Sequence, residues 1–334
     1  MSSLPQSVAS DQPAARSWGH GARLALLGAL ALLCLLAFMT VGVKTDWAFV
    51  LEHRGAKVLT MALVACAIGL STVVFQTVSH NTILTPSVMG LDALYLFVQA
   101  SMVLMLGAAG VSAMGEVGRY ALNIVLMMGF SLLLMRWLFV GHASSLHLML
   151  LVGMVGGIFF RSLAGLAMRV LDPNEFTALQ DRMFANFNAV NLQLQLLLPS
   201  LLLIALGSAW IWRQRRVLDV ISLGRDAAVS LGLDYEGRVL RLLAVVACMV
   251  AVSTALVGPV IFFGLLVSNM AYHAMGTRRH AWVLPAAVLW GCVLLMGGQV
   301  LLEQLFQFNT VLSIVVEFLG GIVFIVLLMR KGTQ

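Results

Sequence analysis

Three acidic side chains lie where water should not reach. Glu317 sits in the middle of an apolar run, Asp92 near the start of another and Glu303 near the end of a third. Ionisable groups at such depth are costly, so they mark a hydrogen bond between helices, a gate or a proton relay. Glu317 fits either a buried hydrogen bond to a neighbouring helix or a place on a gated pathway; a relay needs a second intramembrane acid beside it. The other reactive residues form no catalytic pattern. No GxxxxGK followed by Ser or Thr is present to cradle a phosphate, and neither HExxH nor GxSxG occurs. His142 and His147 flank Ser144 and Ser145 without an acid, which reads as a loop. Cys34, Cys66, Cys248 and Cys292 stand in apolar runs with no CxxC pair, as small buried side chains do. The 19 methionines are spread through the same runs and read as gap fillers. These residues point away from an enzyme, a metal site or a cofactor held by this chain.

The elements that carry them are membrane helices. Of the 334 residues, 61% are hydrophobic and 10% charged, against about 25% charged in an ordinary soluble domain. Ten apolar segments follow, near 23–42, 57–78, 88–110, 119–140, 146–168, 192–212, 239–257, 259–276, 281–303 and 310–329. Each is close to the roughly 20 residues that cross a bilayer as a helix, and lipid forces helices because the backbone must satisfy its own hydrogen bonds. The expected fold is therefore all-α, a polytopic bundle of about ten transmembrane helices. The junction at Gly258-Pro259 is the least defined, because the apolar run continues through it. Residues 1–22 are polar and read as a cytoplasmic tail before an uncleaved first helix.

Charge gives the orientation. With the N-terminus inside, 13 of the 20 Lys and Arg residues fall on the cytoplasmic side, among them Arg213, Arg215, Arg216 and Arg225. An excess of that sign places both termini in the cytoplasm. The net charge of +6 punctuates the apolar segments instead of forming a stripe, which excludes a nucleic-acid surface. Small residues recur at Gly153, Gly156 and Gly157, at Gly297 and Gly298, and at Gly320 and Gly321, as in tightly packed helices. Two stretches lie between spans. Residues 169–191 read as an outer loop or surface-lying helix. Residues 213–238 read as two short cytoplasmic helices joined at Gly224, because apolar residues recur there at helical spacing.

Three stretches together resemble the FecCD family, the permeases of bacterial ABC importers for iron–siderophores, haem and vitamin B12, and the likeness runs from about residue 24 to 331. In the first, Gln76, Asn81, Pro86 and Gly90 match the family spacing, with Thr82 where the family usually has Pro. Here Asn is expected to cap and Pro to begin the next helix. Such broken ends line cavities in transporters. The wording TPSVMGLD is similar to a subgroup serving catecholate or mixed-ligand siderophores. In the second, Leu223, Gly224, Ala228, Leu231 and Gly232 match LGxxxAxxLG, with Arg225 inside it. The third is Gly258, Pro259, Phe262 and Gly264, similar to GPIxFVGL. Departures follow: Ser268-Asn269 replaces Pro-His, the ninth helix near Gly297–Gln299 lacks the usual Asp, and Val311–Ile314 replaces LPVGI.

The resemblance implies a type II ABC importer permease domain over 23–331, with 213–238 as the coupling loop that docks on an ATPase through Leu223, Gly224, Arg225, Ala228, Leu231 and Gly232. Gln76, Asn81, Pro86, Gly90, Gly258, Pro259, Gly264 and Glu317 would line or gate the pathway. Arg54 and Lys57, before the second helix, keep two positive charges of the family's Arg-x-Pro-Arg. They are read either as a grip on acids of a binding protein or as interfacial anchors. Implied partners are a second permease chain, two ABC ATPases that hold the ATP and magnesium, a periplasmic or lipoprotein binding protein, and membrane lipid. The divergent motifs favour a heterodimer over a homodimer. The place is the bacterial inner membrane. A haem or cobalamin permease and an ion-coupled secondary carrier are the alternatives.

Overall fold

The computed structural model describes residues 19–42, 47–140, 146–187 and 194–305, with residues 314, 315, 316, 318, 322, 325 and 329 of the last segment. Among them the chain is helical, with no strand. The helices are α1 (His20–Thr40), α2 (Trp47–Val78), α3 (Leu91–Ala113), α4 (Gly115–Val140), α5 (Leu146–Val170), α6 (Pro173–Met183), α7 (Leu194–Arg213), α8 (Arg215–Ile221), α9 (Arg225–Ser230), α10 (Tyr235–Val257), α11 (Phe263–Met275) and α12 (His280–Leu305). Eight of the described helices are long and apolar enough to span a membrane. The short α11 falls on a ninth expected segment, and most of the tenth, 310–329, lies outside the described residues.

The bundle is built around α2. Its 32 residues make a rod of about 48 Å at 1.5 Å per residue, and α12, α10, α11 and α7 all pack on it. Small residues set the closest approach. A Cβ on Gly291 of α12 would lie 2.8 Å from the Ala65 side chain of α2, and one on Gly69 would lie 3.3 Å from the Ala287 carbonyl. In lipid, where apolar burial drives no association, such contact is what holds helices together. The outer helices α1, α4, α5 and α7 expose Leu, Val and Phe side chains, including Leu33, Val125, Ile158 and Leu202, which lipid or a partner helix can cover.

One expected element differs in detail, and another is decided between its two readings. The segment near 259–276 does not begin a helix until Phe263, and α11 has 13 residues, too few for a full crossing. The stretch 169–191 contains a real helix, α6, with Pro173 at its start, where its missing N–H costs nothing. Glu175 of α6 accepts a hydrogen bond from the Ala108 N–H at 3.4 Å. That donor is freed by a kink in α3 at Gly107, whose φ of 68° is non-helical.

Candidate translocation pathway and coupling surface

The first break in the helical backbone follows α2. The Gln76 side chain, buried in the last turn, donates through Nε2 to the Thr82 carbonyl at 2.8 Å. His80 turns the chain with a φ of 50°, a left-handed conformation that a non-glycine residue adopts at a cost of about 1 kcal/mol or more. Asn81 then accepts the Ile83 N–H on Oδ1 at 3.0 Å. It therefore closes a local turn and does not cap a helix, which corrects the expectation drawn from its spacing. Pro86 opens a single 3₁₀ turn, Pro86–Met89, and Gly90 closes that turn with a φ of 79°. No other residue fits at Gly90, because a Cβ there would lie 2.9 Å from the Gly153 carbonyl of α5. Gly153 and Gly157, expected as close-packing residues, receive this turn.

The second break separates α10 from α11. Gly258 takes a φ of 101°, and a Cβ there would lie 3.1 Å from the Phe184 carbonyl and the Ala185 backbone. The Asn186 N–H donates to the Val257 carbonyl at 2.9 Å, satisfying an acceptor the break leaves open. Pro259, which lacks an N–H, follows in the non-helical stretch. Gly264 lies against α2 so closely that a Cβ would overlap the Thr72 hydroxyl.

The two breaks face each other. Asn269 of α11 donates to the Thr82 carbonyl at 3.4 Å, the same oxygen held by Gln76. Between them is a cavity of about 540 Å³, walled by Ile83, Thr85, Ser87, Asp92, Ile261, Phe262 and Leu265, with Met154, Ile158 and Arg161 of α5. Its lining is largely apolar with a few polar groups, in the size range of small-molecule sites. Asp92, in the first turn of α3 and 5% exposed, shares this lining with Ser87 and feels the charge of Arg161. A carboxylate there also gains from the positive end of α3. Asp92 of α3 and Arg161 of α5 thus line one cavity. Asp92 stands out in the sequence as an acid in an apolar run, and Arg161 joins it only through the fold. Of the residues expected to line or gate a pathway, Gln76, Asn81, Pro86, Gly90, Gly258, Pro259 and Gly264 gather at these two breaks; Glu317 lies outside the described residues.

At one end of the bundle α8 and α9 form the compact knob expected over 213–238. Leu218 and Ile221 are fully buried and pin α8 to the body, against α2 and α12. Gly224, with a φ of 105°, makes the corner and begins α9, and Gly232, with a φ of 81°, ends the knob. Ala228 is buried, so it packs the knob from inside and offers no surface to a partner, which corrects its expected place in the contact itself. The exposed apolar residues are Leu223, Val229 and Leu231, each more than half exposed. Arg225 bridges to Glu236 of α10 at 2.8 Å.

At the opposite end, Arg54 is engaged within the chain. Its guanidinium donates to the Phe38 and Val41 carbonyls, meets Glu303 at 3.4 Å and lies 5.3 Å from the centre of the Phe38 ring. It stitches α1, α2 and α12 together. Lys57 follows three residues later and is half-buried. An acidic partner would therefore have to compete with Glu303 for Arg54.

A helical membrane bundle with two opposed backbone breaks around one cavity defines a polytopic transport protein. The chain belongs to the FecCD transport family, whose model matches residues 29–330. It is 40% identical over 310 residues to the petrobactin import system permease protein YclO of Bacillus subtilis (strain 168), covering 93% of this chain and 98% of that protein. It is 34% identical over 283 residues to the petrobactin import system permease protein FatC of Bacillus anthracis, covering 84% of this chain and 79% of that one. Its fold matches a solved metal-chelate type ABC transporter in an inward-facing conformation, with a TM-score of 0.82 at 19% identity, over 93% of this chain and all of that one.

Proposed function

We propose that this chain is the permease subunit of an ATP-driven importer that moves an iron–siderophore complex, of the petrobactin class, across a bacterial inner membrane. The observation that carries the reading is the likeness to petrobactin permeases along almost the whole chain. The geometry supports it with a largely apolar cavity and an apolar knob at one end of the bundle. The N-terminus and the knob lie in the cytoplasm, on the side favoured by the Lys and Arg excess. Two ATPase subunits bind there, chiefly on Leu223, Val229 and Leu231, while Gly224, Ala228 and Gly232 shape the knob and Arg225 braces it. ATP and magnesium belong to those subunits, and this chain performs no chemistry of its own.

A second permease chain covers the exposed face of α5, where Met154, Ile158 and Arg161 open the cavity to the outside of the bundle. A binding protein delivers the ferric complex at the opposite end, near Arg54 and Lys57. ATP binding draws the two knobs, and the helices rock to expose the cavity to each side in turn. The test is assembly. Membranes holding this chain with the neighbouring ATPase should yield a complex on purification, and Leu223→Asp should abolish it while the variant still inserts. Unchanged capture of the ATPase by Leu223→Asp together with Leu231→Asp would contradict the docking assignment.

A further inference from the structure

A line of side chains joins the knob to the wall of the cavity. It begins at Asp219 on α8, whose Oδ1 accepts both the backbone N–H of His280, at 2.9 Å, and the ring Nδ1, at 2.7 Å. His280 is the first residue of α12 and is 2% exposed. With Nδ1–H given to the carboxylate, the neutral ring presents Nε2 as an acceptor. Nε2 stands 2.7 Å from the Thr77 hydroxyl in the last turn of α2, sharing its proton with the Val73 carbonyl one turn back, 2.8 Å away. Thr77 adjoins Gln76, and Gln76 holds the Thr82 carbonyl. The next residue, Ile83, is part of the cavity wall.

Packing alone would fix α8 on the bundle, since Leu218 and Ile221 are already fully buried there. The Asp219–His280–Thr77 line adds direction. Hydrogen bonds of this kind keep their partners within a few tenths of an ångström and break steeply with misalignment, whereas apolar contacts slide. We infer that Asp219, His280 and Thr77 act as a strut that delivers movement of the knob to the 82–90 segment, making them positioning residues for transport. This rests on the importer reading and names the route by which the ATPase acts on the cavity. The strut meets the break at 79–90.

The experiment uses the whole complex, this chain with its permease partner and ATPases, carrying Ile83→Cys as a reporter. Labelling of that cysteine by a maleimide is timed with and without ATP, and ATP hydrolysis is measured on the same samples. In the reporter parent the labelling rate should shift with ATP by about fivefold, the size of an ordinary coupling energy between sites. Thr77→Val, which keeps the shape and removes the hydroxyl, should lose that response while hydrolysis stays within about twofold of the parent, because the coupling is what the strut supplies. Thr77→Ser should restore the response, and Asp219→Asn should lose it as Thr77→Val does. A full ATP response in Thr77→Val overturns the strut. So does loss of hydrolysis in Thr77→Val, since the residue would then serve assembly. A parent complex that hydrolyses ATP without any change at Ile83→Cys overturns it as well, because the segment would not move. Failure of the unaltered chain to bind any ATPase would instead overturn the functional reading beneath it.

Discussion

The two backbone breaks do the same topological job with opposite means. The break at 79–90 is held over 79–83 by side-chain hydrogen bonds, Gln76 and Asn269 on the Thr82 carbonyl and Asn81 on the Ile83 N–H, and is anchored at its end by Gly90 packed on Gly153 and Gly157. The break at 258–262 is held by close glycine packing, Gly258 on the Phe184 and Ala185 backbone and Gly264 on the Thr72 side chain, with one backbone hydrogen bond from Asn186 to Val257. Hydrogen bonds of about 1 kcal/mol each can be exchanged for others as a segment moves. Close glycine packing has no alternative arrangement short of a shift of whole helices. The 79–83 stretch of one wall is thus built to move while Gly90 and the Gly258 wall stay, and the hydrogen-bonded line from the knob reaches the movable stretch.

The largest effect should come from breaking the fixed wall. Gly258→Val adds a β-branched side chain at a φ of 101° with backbone 3.1 Å away. About 3 kcal/mol or more of stability should be lost through strain and overpacking, seen as poor insertion or a large drop in the melting temperature of the purified protein. Next is the knob. Leu223→Asp and Leu231→Asp touch exposed residues, so stability should change by less than about 0.5 kcal/mol while capture of the ATPase is lost. Gln76→Ala sharpens the contrast. It removes a hold on the movable wall, so stability should fall by about 1–2 kcal/mol, yet uptake should fall about tenfold or more, as expected of a residue that sets coupling. Equal losses of stability in Gly258→Val and Gln76→Ala would erase the distinction between the walls. The smallest effect is expected of Arg161→Gln on the cavity rim, a rise of about fivefold in the apparent KM for an anionic ferric chelate, with the maximal rate little changed.

Much of this plan is legible in the residues. Asn81, Pro86 and Gly90 mark a break because each changes what the backbone can do locally, and the knob shows itself through apolar spacing around Gly224. The length of α11 is hidden, because Val257 through Phe263 is apolar throughout and hydropathy does not register where a helix stops. The Asn81 turn and the burial of Ala228 are also hidden, since spacing gives residue type without facing. Arg54 reads as a free charge only until Glu303, 249 residues away, is folded onto it. The same holds for the strut, where Asp219 and His280 are 61 residues apart and Thr77 and His280 are 203. Neither pair has a local signature, and each exists only once α2, α8 and α12 have met.

A passive pathway worked by a separate motor must fail without that motor. This is measured as uptake of radio-iron ferric petrobactin into vesicles that contain the two permease chains, with a loaded binding protein outside and the ATPases and ATP inside. Uptake should require the ATPases and ATP and should continue when ion gradients are collapsed. Uptake by the permease chains alone, or uptake that follows an ion gradient and ignores ATP, would contradict it.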